Sequence, residues 1–276
     1  MNLFLIGVVH FVLAQASSAG PEALSPSATA LELGYRQMYN LQFEEAHKTF
    51  ESWEQSHPDD PFGPSSNAAA FLFSEFNRLG ILEAELFEDN EKLQKSKIRT
   101  PDPVCKRGFE SATARSERLA DAILERSPRD PNALFAKVLN QGLRSDYAGL
   151  IEKRFLASLG YMKNGRLLAK KLLEADPTNY DAYLAIGVEN YVLGSSPAPV
   201  RLFLQLFGSQ TNKALGIEHV RLTAEKGHYL RPFARLLLAV AALRDKNREK
   251  AREILEGLAR EFPNNPLYLR EVARIP

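Results

Sequence analysis

The sequence predicts an all-α chain built from antiparallel helix hairpins stacked side by side. Three observations predict it. Apolar residues recur at helical spacing along most of the chain. One exit turn occurs four times, as Pro58-Asp59-Asp60-Pro61, Pro128-Arg129-Asp130-Pro131, Pro177-Thr178-Asn179-Tyr180 and Pro263-Asn264-Asn265-Pro266. A small residue lies twelve positions before each stop proline (Ala46, Ser116, Gly165, Ala251), and an apolar one eight before it (Phe50, Ala120, Ala169, Leu255). Proline ends a helix because it lacks the amide proton and clashes with the preceding turn. The Asp or Asn two residues on can cap the next helix. Small side chains let two helix backbones approach, and the apolar ones fill the seam beside them.

The opening hairpin shows the pattern most fully. Leu31, Tyr35, Met38 and Tyr39 make one helical stripe, Asn40-Leu41-Gln42 a turn, and Phe43, Ala46, Phe50 and Trp53 a second stripe. Pro58 stops the second helix, Asp60 suits an N-cap and Pro61 a first helical position.

These residues resemble the tetratricopeptide repeat, two antiparallel helices in roughly 34 residues. Leu33-Gly34, Ala46, Phe50 and Pro58 carry the resemblance in the first copy, and Leu238-Ala239, Ala251, Leu255 and Pro263 in the last. Arg248 replaces the aromatic expected after the last inter-helix turn, and the middle copies carry insertions. Stop prolines are 70, 49 and 86 residues apart, so no interval is a clean single repeat. The resemblance implies a right-handed superhelix that binds a peptide or protein partner on its concave face, without catalysis. The first helix of each pair lines that face. By the offsets of the opening hairpin, the partner-binding candidates are Leu31, Tyr35, Met38, Tyr39, Phe135, Leu139, Leu184, Val188, Tyr191, Leu236, Val240 and Leu243. The alternative for each is a core position. More loosely, the layout is similar to exported bacterial tetratricopeptide proteins distantly akin to the mitochondrial Iml-type outer-membrane proteins.

The rest of the chain follows in order. Residues 59–67 read as a connector, 68–79 as an apolar helix and 81–94 as its continuation, with Glu83, Glu85, Glu88, Asp89 and Glu91 on a solvated face. Residues 95–104 read as a loop. Helices are expected over 109–126, 132–144 and 147–174, the last as one or two, with Leu150, Ile151, Phe155, Leu156, Leu159, Leu167, Leu168 and Leu172 as its apolar residues and Gly160 and Gly165 as close-contact or kink points. Residues 180–193 form another helix, broken at 194–199. The apolar run 200–207, with Leu202, Phe203, Leu206 and Phe207, either packs on the array or docks on a partner or membrane. Helices at 211–226, 229–244 and 248–261 follow, and 266–275 caps the open end. The whole of 20–276 reads as a single repeat domain with insertions near 80–105 and 195–210.

Composition narrows function. Hydrophobic residues make up 45% and charged residues 25% of the 276, ordinary for a folded chain. The 35 basic and 34 acidic residues leave a net charge of +1, which argues against a nucleic-acid partner. Cys105 is the only cysteine, so it closes no internal disulfide and builds no cysteine metal site. His10, His47, His57, His219 and His228 are scattered, and no phosphate loop, dinucleotide fingerprint, zinc-protease or nucleophile-elbow motif occurs. No catalytic, cofactor or metal residue is therefore expected. Residues 1–19 read as a signal peptide: 3–13 are almost wholly apolar, about 16 Å as a helix and too short for a ~30 Å bilayer core. Ala14-Gln15-Ala16 then offers a cleavage site, although no Lys or Arg precedes the apolar run. The expected protein is a non-enzymatic scaffold exported to the periplasm or envelope, peripheral membrane association included. The alternative is an all-helical envelope enzyme, such as one that cleaves glycans.

Overall fold

The computed structural model describes residues 29–81, 100–195 and 211–275. The 1–19 leader, the acidic run Glu83 to Glu91 and the apolar run with Leu202, Phe203, Leu206 and Phe207 lie outside them. The described residues contain eleven α-helices and no strand. They are α1 (Ala30–Tyr39), α2 (Phe43–Ser56), α3 (Phe62–Leu79), α4 (Pro103–Arg126), α5 (Pro131–Asp146) and α6 (Phe155–Ala175). Then come α7 (Tyr183–Gly194), α8 (Lys213–Lys226), α9 (Arg231–Arg244), α10 (Arg248–Glu261) and α11 (Pro266–Arg274). Each helix packs on the next in the chain, and α1 on α3 and α3 on α5 as well, so layers build in sequence order.

The exit turns set this order. Helices α2, α4, α6 and α10 end at Ser56, Arg126, Ala175 and Glu261, each two residues before its stop proline. Asp130 Oδ1 accepts from the Ala133 amide at 2.9 Å, and Asn265 Oδ1 from the Leu267 amide at 3.0 Å. The third copy differs, because Asn179 makes no side-chain cap and a 3-10 turn, Tyr180–Ala182, precedes α7. The seam residues Ala46, Phe50, Ser116, Ala120, Ala169, Ala251 and Leu255 are all fully buried, and Gly165 is buried with them.

Three boundaries differ from the sequence reading. Helix α3 begins at Phe62, inside the expected connector. Pro64 stands in its first turn, where a missing amide proton costs nothing, and the Ser65 and Ser66 hydroxyls donate to the Phe62 carbonyl. Helix α4 begins at Pro103, inside the expected loop, because Asp102 Oδ1 accepts from the Val104 amide at 2.7 Å. The expected helix over 147–174 is broken by a π-turn at Tyr147–Ile151 and a non-helical step to Phe155. That break resets the helical phase, and of the apolar residues that follow it Leu156 is 86% exposed, with Phe155 and Leu167 exposed too.

The closest helix approach is also elsewhere than expected. A Cβ on Gly160 would meet nothing, and one on Gly165 would only touch Gln141. On Gly216 of α8 it would stand 2.4 Å from the Tyr191 backbone nitrogen of α7, and on Gly187 it would stand 2.9 Å from the Val220 backbone nitrogen. Backbone cannot swing aside as a side chain can. Gly216→Leu is therefore expected to cost up to about 3 kcal/mol, read as a lower denaturation midpoint. An unchanged midpoint would mean that α7 and α8 do not cross here.

An open stack keeps its first and last hairpins apart, but here they touch. The Tyr39 hydroxyl donates to the Tyr229 carbonyl at 3.0 Å, and Asn265 Nδ2 donates to the Tyr39 carbonyl at 2.9 Å. The Asn264 amide donates to Asn40 Oδ1 at 3.1 Å. Tyr229 also packs on Tyr35, Phe62 and Phe135, with ring centroids 5.0, 4.8 and 6.4 Å away. Helix α11, expected as a cap over an open end, thus follows a turn that is tied to the opening hairpin.

Candidate functional site: the inner cavity

Closing the array encloses space. A cavity of about 630 Å³ is lined by α1, α3 and α5 to α9, within the size range of ligand sites. Nine of the twelve partner-binding candidates line it: Tyr35, Met38, Tyr39, Leu139, Leu184, Val188, Tyr191, Leu236 and Val240. Leu31, Phe135 and Leu243 do not, and are buried in the core. Phe135 packs on Phe62 with centroids 5.0 Å apart, as part of the aromatic knot that joins the two ends. Tyr35, Met38 and Tyr39 are at most 4% exposed, so they are core residues with one edge on the cavity. Phe73, Phe76 and Phe233 complete the apolar wall, and no sequence pattern assigned them to it.

The polar side of the cavity lies where α5 ends. Leu139, Gly142 and Asp146 fall at i, i+3 and i+7, one stripe of α5, so Asp146 faces inward with Leu139. The π-turn follows at once, and Lys153 beyond it has φ +57°, a left-handed backbone rare for a residue with a side chain. Single π-turns inside helices often mark functional positions. Gly149 in this turn lets the Ser158 hydroxyl come close, since a Cβ there would stand 2.8 Å from Ser158 Oγ. The Ser145 and Ser158 hydroxyls lie 3.0 Å apart, joining the end of α5 to α6, and both line the cavity.

Electrostatics single out Asp146. It is half-buried, and it lines the cavity rather than the outer surface. Burial alone pushes its carboxyl up to about 7. Lys153 is held below the ordinary lysine range, also by burial alone. Asp181, the other carboxylate of the cavity, accepts from the backbone amides of His228, Tyr229 and Leu230 at 3.0, 2.9 and 3.2 Å. It pins the turn before α9 and has little capacity left.

Neither Cys105 nor any described histidine lines the cavity. Burial, reinforced by Glu75 and Asp102, pushes the Cys105 thiol up to about 12, and its Sγ donates to the Phe71 carbonyl. It is a packed thiol with no thiolate at neutral pH. Among the described residues, no three His, Cys, Asp or Glu side chains group as a metal site, and no helix is long and apolar enough to cross a membrane. In comparisons with known proteins, the chain matches no family model, no curated protein and no solved structure.

Proposed function

We propose that the chain is a non-enzymatic binding protein of the tetratricopeptide type, acting in the cell envelope. Its partner is a peptide or protein that inserts a compact apolar segment into the inner cavity. The observation that carries this reading is the convergence of nine inner-face candidates on one apolar cavity. The contact between the first and last hairpins argues against an extended peptide lying along an open groove. Leu236→Trp would fill the space from α9. It is expected to weaken binding of an apolar fluorophore, and photo-crosslinking to an envelope protein, by about tenfold or more while the fold stays intact by circular dichroism. Equal binding by both proteins would remove the cavity from the reading. Export rests on the apolar stretch 3–13 and Ala14-Gln15-Ala16. Mass spectrometry of the mature protein is expected to find Ser17 or Gly20 at its start, and an intact Met1 would end that part of the proposal.

One observation favours a second reading. A carboxyl raised to about 7 in an apolar cleft is suited to act as a general acid. The envelope-enzyme alternative had lacked such a group. Glycan cleavage uses a second carboxylate and polar subsites, whereas Asp181 is occupied and the walls are apolar. A zymogram on peptidoglycan separates the readings, with no clearing expected.

A further inference from the structure

We propose that the segment received in the cavity is the amino-terminal end of an apolar peptide, with its α-ammonium group seated on the Asp146 carboxylate. This rests on the cavity being the binding site, and adds which end enters and what holds it. Four charged side chains line the cavity: Asp146, Lys153, Asp181 and Arg244. Asp181 is filled by three backbone amides, and Lys153 and Arg244 are engaged in interactions of their own. Asp146 is the one of the four without a hydrogen bond or ion pair among the described residues. A poorly solvated carboxylate gains most from a cation that also donates hydrogen bonds, and an ammonium group brings three donors.

The shape of the site selects a chain end. The array is closed between its first and last hairpins, while Phe155 and Val192 line the cavity and still reach solvent, at 51% and 44% exposure. A loop entering past such a rim brings two passes of polar backbone into an apolar space, whereas an end brings one. An end entering carboxylate-first would set like charges together at Asp146. An end entering amine-first sets opposite charges together. Ser145 and Ser158 lie on the same stretch of wall, and their hydroxyls can replace the water lost by the first peptide amide.

The test uses calorimetric titration of the full protein with four probes. One is a short peptide beginning Leu, Val, Phe, Leu with a Gly/Ser tail. The others are the same peptide N-acetylated, the reversed sequence ending in a free carboxylate, and decylamine. The free-amine peptide is expected to bind at least about tenfold more tightly than the acetylated one, the scale of a charge-assisted hydrogen bond. Asp146→Asn should reduce that ratio to near one while the protein still unfolds cooperatively. Equal binding of the free and acetylated peptides, or a preference that survives Asp146→Asn, overturns the proposal. Asp146-dependent binding of decylamine without peptide binding also overturns it, in favour of a small amine. If no probe binds, the cavity reading itself fails, a different result from the loss of amine preference alone.

Discussion

Arg166→Met is expected to destabilise the protein by about 3–5 kcal/mol, the usual effect of removing one partner from a buried ion pair. Arg166 on α6 donates from Nε to Glu189 Oε2 on α7 at 2.6 Å, and the two residues are 5% and 0% exposed. Methionine would take the Arg166 cation away from the enclosed Glu189 carboxylate. For a chain of this size the thermal midpoint should fall by on the order of 10 °C. The double change Arg166→Met with Glu189→Leu should recover most of the loss, because two apolar side chains replace the pair without stranding a charge. If the double variant is as unstable as the single one, packing rather than charge is the cause. The pair also bears on the site. Gly165 and Val188, its chain neighbours, line the cavity, so the pair sets the spacing of two of its walls.

The parts of this fold that depend on short stretches of chain were legible in the sequence. A stop proline and a capping Asp or Asn act within a few residues, so the four exit turns could be located without coordinates. The small and apolar seam residues followed from helical phase, and all of them are buried. Asp102-Pro103 repeats the Asp130-Pro131 signal for a helix start, but Pro101 stands one residue before the Asp rather than two, so the exit-turn spacing is missing and the stretch reads as loop. Asp146 was also within reach, because extending the Leu139 stripe by seven residues puts a carboxyl on the inner face. Its lack of a partner among the described residues was not, since that depends on every element around the cavity. Closure of the array was hidden for the same reason. Tyr39 bonds to Tyr229, 190 residues away, and Tyr229 sits in the short turn before α9, where the sequence reads as the start of the helix over 229–244.

Asp146→Asn is expected to stabilise the protein, increasingly so as pH rises. The folded state holds this carboxyl near 7 against an ordinary value of 3.8, so it favours the neutral acid. Between those two values the folded chain keeps a proton that the unfolded chain gives up. More protons bound to the folded state means that stability falls as pH rises across the window, and levels off above about 7. Asparagine has no such loss. Near pH 4 the two proteins should therefore have similar midpoints, and by pH 8 the variant should lead. At about 1.4 kcal/mol per unit of displacement the gain is at most roughly 4 kcal/mol, and less where solvent entering the cavity screens the charge. Lys153, Asp181 and Arg244 line the same cavity; their own titrations are common to both proteins, and any coupling of their charges to the Asp146 carboxylate is part of the measured difference. Paired thermal melts from pH 4 to pH 8.5 measure it. A difference that stays flat with pH would mean that the carboxyl is well solvated, which would remove the physical ground for seating an ammonium group on it. A difference that opens in this window and collapses when the free-amine peptide is added would tie the titration to occupancy, because an ammonium on Asp146 stabilises the charged form that the empty cavity disfavours.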